Sequence, residues 1–530
     1  MRAIPNFPDI NFKSFCDFCK NNILMLVVTT IALFFCYGIK LFQYCIGLDT
    51  EQIMAYQALQ RENFIQIGRF GITALQWLLH IKEFNPFTTF FSTFCLIWLF
   101  TVSWAYIIGI FSKNTNTNNA FIPFTLVFMT SPIWAEQFYF TLQSAEVALM
   151  VLICPYAIYL LFKGFLAHET GKIIFAFLLL ILMTSVYQAM VPFFCCGVFI
   201  CFLLLFKTSD YEPSIYRNLC LKLLATLIGA MIVYSIIDRV LIPSVFGIEK
   251  LQYFDSMNQW GQRPVKENFL RILGLAYVVS TGNIPQLQEL VNPIIPNAEI
   301  AQTITNNSKV FGNILLLPIA VFFMVKVIKC KREFIYIFIG ICIPLSIMFL
   351  AILGGNTVPM RAMYVLPLAF AFMFFFLIET CSKKAASAVA ILALLTAVYQ
   401  AQITAQLFYS DQMRYNEDVR LAYEIRDIVI KTYSDNENLP VAIIAQYKIA
   451  EKFRTNFLQG ETIGHSFFGY GQDPRGGAER SLDFMRTLGI NFYAPNDEQL
   501  KQAINEARSM PPYPNPGYIR KLPDVIVVRF

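Results

Sequence analysis

Eleven runs of apolar residues, separated by short polar segments, limit this chain more than any other feature. A helix needs about 20 apolar residues to cross the hydrocarbon core of a bilayer. Inside that core the backbone must satisfy its own hydrogen bonds, so runs of this length read as helices. The runs are Ile23–Ile46, Phe87–Phe111, Ala120–Thr130, Ala145–Phe162, Lys172–Tyr187, Met190–Phe206, Leu219–Leu241, Phe311–Ile328, Phe334–Leu353, Met363–Ile378 and Ala385–Ile403. The third is short and can lengthen into Trp134. Only Gln188 and Ala189 separate the fifth from the sixth, so a tight turn is expected there. Of the 530 residues, 56% are hydrophobic and 14% charged, against about 25% charged in a soluble domain. The mean hydropathy is +0.54. These numbers exclude a single soluble core and predict an all-α polytopic membrane protein with about eleven transmembrane helices.

The polar connections alternate in charge. Lys13 and Lys20, Lys113, Lys163 and Lys172, Lys207 with Arg217 and Lys222, the group Lys326 to Arg332, and Lys383 with Lys384 all fall on one side if the spans alternate. Basic residues mark the cytoplasmic side. The N-terminus is then cytoplasmic and the C-terminus outside. The net charge of +6 is small and follows the topology, so membrane lipids are expected partners and nucleic acid is not. No small-residue cleavage site follows the first run, and no cleavable signal peptide is expected. Most of the 13 cysteines lie inside apolar runs, where they act as small hydrophobes. Cys16 and Cys19 have CxxC spacing without a second pair to complete a metal site.

Two segments stand apart from the spans. The loop Pro243–Lys309 is too long for a plain connector and should fold, with Trp260, Arg263, Lys266 and Arg271 at the lipid headgroups. After Gln406 polar residues dominate. Asp418–Thr432 and Asp497–Arg508 read as helices, and Pro440–Ala445 and Asp524–Phe530 as strands. The expected division is a transmembrane part, residues 1–405, with outer loops 47–85 and 243–309, and a small periplasmic α/β domain, residues 406–530. The Gly-rich stretch Gly469–Gly477 lacks the Lys-Ser/Thr of a phosphate loop and reads as a surface loop; no nucleotide site is expected.

Charge is scarce near the spans, which makes its positions informative. Asp49 and Glu51 stand just past the first span, a costly place for two carboxylates unless they are used. Helical stretches Met54–Leu59 and Ile72–Leu79 follow, with Gly68-Arg69 between them, so the first outer loop should be a surface-lying helix pair. Asp49 or Thr50 is also suited to cap the helix that follows. Other outer turns present Glu136, Gln143 with Ser144, Tyr187-Gln188, and Gly355-Asn356 leading to Arg361; Glu62, Glu146 and Asp255 are further acids on this side. Together they resemble a cavity open to the outer face. Carboxylates and arginines there suit transfer of a sugar from a lipid phosphate to an alcohol. The acceptor hydroxyl needs a general base, and the departing phosphate needs a guanidinium fork.

Asp49-x-Glu51, Gly68-Arg69, the Tyr187-Gln188 turn and the Gly355-to-Arg361 loop resemble, in order and spacing over roughly residues 20–405, the serotype-converting Gtr glucosyltransferases that decorate bacterial O-antigen. The resemblance implies a GT-C architecture. It implies a polyprenyl-phosphate-linked (undecaprenyl-type) glucose as donor, O-antigen or a related lipopolysaccharide glycan as acceptor, and Asp49 and Glu51 as the catalytic pair. Beside it, the residues suggest Arg69 and Arg361 as donor-phosphate ligands and Glu136, Gln143, Tyr187, Gln188 and Asn356 as substrate contacts. No cofactor is expected. Asp49 and Glu51 could together hold a divalent cation, but the sequence offers no identifiable third ligand. The second reading is a lipid or polysaccharide transporter or flippase. Such proteins often carry internal repeats and charges near mid-membrane, whereas here no repeat is evident and the charges gather at the outer ends of the spans.

Overall fold

The computed structural model describes every residue except 1–8, 82, 114–117, 210, 252–257, 282–309, 433–438, 454 and 472–473. Asp255, much of the loop 243–309, and Gln472 and Asp473 of the Gly-rich stretch therefore lie outside the described residues.

The chain is mostly helical. An amphipathic helix α1 (Phe12–Asn21) leads into α2 (Ile23–Phe42). Three short helices follow, α3 (Thr50–Ala55), α4 (Gln57–Gln66) and α5 (Phe70–Leu78), where the sequence suggested two, because the helix breaks at Tyr56. Then come α6 (Pro86–Ser112), α7 (Asn118–Met129), α8 (Pro132–Tyr139), α9 (Thr141–Ala167), α10 (Thr170–Val186) and α11 (Met190–Thr208). The next helix, α12 (Pro213–Phe246), has one π-helical turn at Ile237–Leu241. It is followed by α13 (Val265–Thr281), α14 (Leu316–Cys330), α15 (Phe334–Gly354), α16 (Val365–Thr380) and α17 (Lys383–Thr432). Seven of the described helices are long and apolar enough to cross a membrane: α2, α6, α9, α11, α12, α15 and α17. Three apolar helices are shorter, α7, α10 and α16. Each of the eleven apolar runs falls on a helix, but length and composition alone qualify seven as spans.

Burial sorts these helices. Every residue of α16 from Val365 to Leu377 is buried, and α6, α9 and α11 are mostly buried too. They form the centre, filled with rings such as Trp134, which stacks on Phe138 and Tyr364. By contrast α12 exposes Leu221, Leu224, Ile228, Ile232 and Ile236 at helical spacing, and α2 exposes Ile23, Val27, Ile31 and Phe34. Such continuous apolar stripes are unfavourable in water and favourable against lipid.

The longest helix departs from the expected domain division. The 50 residues of α17 span about 75 Å at 1.5 Å each, more than twice a hydrocarbon core of about 30 Å. The boundary expected at 405/406 falls inside it. Composition changes there, but no Gly or Pro occurs between Lys383 and Thr432 to stop the helix. Its first half is apolar, and its second half carries Asp411, Arg414, Glu417 and Asp418.

Beyond α17 a three-stranded sheet forms from β1 (Val441–Ile444), β2 (Ile519–Lys521) and β3 (Ile526–Arg529), in the order β1-β3-β2. β1 pairs parallel to β3, with Val441 opposite Ile526; β2 pairs antiparallel, with Ile519 opposite Val528. The sequence suggested β1 and β3 but not the short β2. Between β1 and β2 lie α18 (Ile449–Phe453), α19 (Pro474–Thr487) and α20 (Asp497–Ala507). Alternation along the strands divides the sheet. Ala442, Ile444, Val525 and Val527 pack under α20 residues Leu500, Ala503 and Ala507. Val441, Ile443, Ile526 and Val528 face the other way, into the apolar cluster that runs on through Phe467, Leu482 and Phe484 to the helices of the first half.

A buried ionic cluster joins the two halves. Arg414 is fully buried and donates to Asp411 Oδ1 at 2.5 Å, Asp418 Oδ2 at 3.4 Å and the Ile46 carbonyl at 2.9 Å. Asp411 and Asp418 also receive the backbone N–H groups of Gly464 and Phe467, and Asp418 accepts from the Ser466 hydroxyl. Lys40 Nζ donates to the Cys45 carbonyl at 2.7 Å. Removing one member of a buried charge cluster leaves the others uncompensated, at a cost of about 3–5 kcal/mol. Arg414→Met should therefore lower the thermal midpoint of the detergent-solubilised chain strongly. A midpoint within a degree or two of the parent would show that the cluster is dispensable.

Candidate active site

Asp49 enters the site already fixed. The loop before it is pinned by Lys40 at Cys45, by Arg414 at Ile46, and by Tyr139, whose hydroxyl accepts the Leu48 N–H at 3.1 Å. Asp49 itself adopts φ 70°, in the left-handed region, which Asp tolerates better than most residues. It occupies the position before α3, yet its carboxylate makes no capping bond. Instead Asp49 Oδ1 accepts from Arg480 Nη2 at 2.9 Å, while Glu51 Oε1 accepts from Arg480 Nη1 at 2.5 Å. The left-handed residue lets two acids two positions apart meet one guanidinium. Their environments differ sharply: the Asp49 side chain is 45% exposed and that of Glu51 is 0% exposed. The second oxygen of Glu51 has no partner among the described residues. Burial pushes the Glu51 carboxyl up to about 8, with Arg480 opposing the shift and the charge of Asp49 adding to it.

A second cluster lies across Tyr470. This ring sits 5.5 Å from the Arg480 guanidinium and within electrostatic reach of Asp49, Arg361 and Glu461. Glu461 Oε1 accepts from Arg361 Nη1 at 2.9 Å, and its Oε2 accepts the Met360 N–H. Glu136, fully buried on α8, accepts the N–H groups of Glu461 and Thr462 and the Thr462 hydroxyl. Burial, then the nearby Glu461 charge, raises the Glu136 carboxyl above its ordinary range. A side chain on Gly460 would overlap Glu136 Oε1, so only glycine lets the loop come this close. Glu136 was expected to contact substrate; in this structure its carboxylate holds the chain's own 460–462 loop.

Most of the remaining candidates gather around the start of α9 and the Gly68 turn. Arg69 Nη1 donates to Gln143 Oε1 at 2.9 Å, and its guanidinium lies 4.6 Å from the Tyr187 ring. Three residues before Gln143, Phe140 carries Arg361 over its ring at 4.9 Å. The two arginines thus flank one turn. Gln188 Nε2 donates to the Gly68 carbonyl at 3.0 Å and to Tyr234, bracing the Gly68 turn that precedes Arg69. Asn356 stands apart from these clusters. It follows Gly355, which packs on Trp260 and Asn268, and its Oδ1 has no partner among the described residues.

Sequence reasoning missed Arg480, Glu461, Thr462 and Tyr470. All four come from the stretch it treated as a surface loop and its surroundings. The one available signal was an amphipathic helix, α19, with Arg480 and Arg486 on its polar side; Arg486 pairs with Asp483 and reaches the Tyr56 hydroxyl. Among the described residues no group of three or more His, Cys, Asp or Glu is arranged to hold a metal ion.

The arrangement offers a half-exposed carboxylate fixed by buried supports, a buried acid beside it, and arginines on either side. That equipment suits proton removal from a hydroxyl next to a developing phosphate charge. The family model described as Glucosyl transferase GtrII matches residues 38–378, and the chain belongs to that family. No curated protein matches the chain.

The Glu51 shift has a measurable consequence. The unfolded chain releases this proton near 4.5 and the folded chain near 8. Between those values the unfolded state binds fewer protons, so folding stability falls as pH rises, by an order of a few kcal/mol. Glu51→Gln removes the titration. It should reduce the fall in thermal midpoint between pH 5 and 8, whereas an unchanged pH slope in the variant would contradict the burial account.

Proposed function

We propose that this member of the GtrII family transfers a glucosyl group from a polyprenyl-phosphate-linked donor to O-antigen or a related lipopolysaccharide glycan, at the periplasmic face of the bacterial inner membrane, as in serotype conversion. The observation that carries the reading is the Asp49–Glu51–Arg480 cluster in the loop after α2, with Arg69 and Arg361 reaching Gln143 and Phe140 at the start of α9. In the proposed step Asp49 takes the proton from an acceptor hydroxyl. The freed oxygen attacks the anomeric carbon of the donor sugar. The bond from that carbon to the phosphate oxygen breaks, and polyprenyl phosphate leaves with the electron pair. Arg69 and Arg361 meet the growing charge with paired hydrogen bonds. Glu51 and Arg480 act through Asp49: Arg480 aims its carboxylate, and Glu51 fixes Arg480 from below.

Rigid support of Asp49 is what a general base requires, since small displacements cost rate. Loss of a general base costs about 10²–10⁴ in rate. Asp49→Asn should lose turnover on that scale with an unchanged melting temperature. Arg361→Lys keeps the charge but loses the fork and should raise the donor KM roughly tenfold. Assays with polyprenyl phosphoglucose and purified O-antigen test both; near-full turnover in Asp49→Asn would remove the base assignment.

The orientation belongs to the same proposal: eleven spans, the N-terminus cytoplasmic, and the region after α17 periplasmic. The basic connections support it. A reporter active only in the periplasm, fused after Phe530, should give signal; activity from a cytoplasmic reporter there instead would put the span count off by one.

A further inference from the structure

A cavity of about 360 Å³ lies between α3–α5 and the outer ends of α6 and α9, at the lower edge of the size range of small-ligand pockets, roughly 300–1,000 Å³. Its lining is divided. Gln76, Thr88, Ser92 and Glu146 present polar groups, while Phe64 and Phe84 present ring surface. Glu146 is only 8% exposed. One of its oxygens accepts from Gln76 Nε2 at 2.9 Å, and the other has no partner among the described residues. A buried carboxylate oxygen left without a donor is costly, and a ligand hydroxyl would satisfy it. Polar acceptors beside aromatic rings are the surfaces a pyranose recognises, through its hydroxyls and its C–H face.

Charge narrows the ligand. The acids here are Glu83 and Glu146, and the one arginine, Arg61, already donates to the Ile81 carbonyl at 2.7 Å. A wall with that balance disfavours a phosphate and admits a neutral sugar. Its position relates it to the acid pair: Ile53, on the wall, stands two residues after Glu51 on α3, and Leu142, also on the wall, precedes Gln143, the partner of Arg69. We infer that this cavity binds an uncharged sugar residue of the acceptor glycan, with Glu146 and Gln76 as its specificity-determining contacts. The inference rests on the glucosyltransferase reading for the word acceptor; the saccharide site itself does not depend on it.

Binding without turnover separates the two. Calorimetric titration of the full-length, detergent-solubilised chain with a neutral O-antigen oligosaccharide, no donor present, should give saturable binding. Glu146→Gln should weaken it about tenfold or more, the scale of one charged hydrogen bond. Ser92→Trp fills the cavity from an exposed position, so folding is spared, and it should weaken binding at least as much. Binding equal to the parent in both variants, or no binding by the parent, overturns the inference. A parent that binds through this cavity yet transfers no sugar would instead sink the transferase reading and leave the saccharide site standing.

Discussion

Arg414 is the interaction on which the remaining architecture depends. It stands on the polar half of α17, fully buried, with Asp411 and Asp418 on either side. Burying these charges costs several kcal/mol per ion unless each finds partners. The partners come from both ends of the chain: the Ile46 carbonyl on the way to Asp49, and the Gly464–Phe467 segment on the way to Arg480. A helix too long for the bilayer therefore carries a charged joint just where the first outer loop and the C-terminal region must meet. The joint fixes register more than it adds stability, because replacing Asp411, Arg414 and Asp418 together by apolar residues of equal volume would pack as well but would not choose these partners.

The C-terminal region is consequently part of the site. Two of its contacts with the first half of the chain carry charge from both sides or a buried acid. Arg480 holds Asp49 and Glu51, and the 460–462 loop is held by Glu136 while Glu461 holds Arg361. Each contact pairs a rare charge from the first half of the chain with an opposite charge or a backbone donor from the second. Tyr470 fills the space between them. The family match ends at residue 378, so the residues that complete these contacts lie beyond the part of the chain that the match covers.

The helices were legible because the pattern that forms them is local: every apolar run falls on a helix, and β1 and β3 fall within the short apolar stretches that suggested them. The acid pair and the two arginines stood out for a related reason, since charge at a span end is rare enough to notice. Partners were not legible. Glu51 meets Arg480 across 429 residues, and Glu136 meets Thr462 across 326; no periodicity reports such a distance. The change near residue 405 does not end the helix, because composition and helix propensity are different signals. Polarity changes there, and nothing breaks the helix. Nor did the aromatic surroundings of Glu136 show that its carboxylate would accept from the 460–462 loop.

Under the proposed function, the unequal burial of Asp49 and Glu51 fits them to different work. A base must exchange protons with an arriving ligand, so it must be reachable. Asp49, with nearly half its side chain exposed, meets that requirement, and Glu51, with none exposed, does not. Glu51 holds its proton to a pH near 8 with Arg480 in contact. As a neutral group it adds no repulsion to Asp49; as an anion it would draw the guanidinium away from Asp49 and toward itself. A base whose carboxylate is held by a shared arginine gains precision of aim. In this chain that aim is backed by the loop behind Asp49, pinned by Lys40, Tyr139 and Arg414.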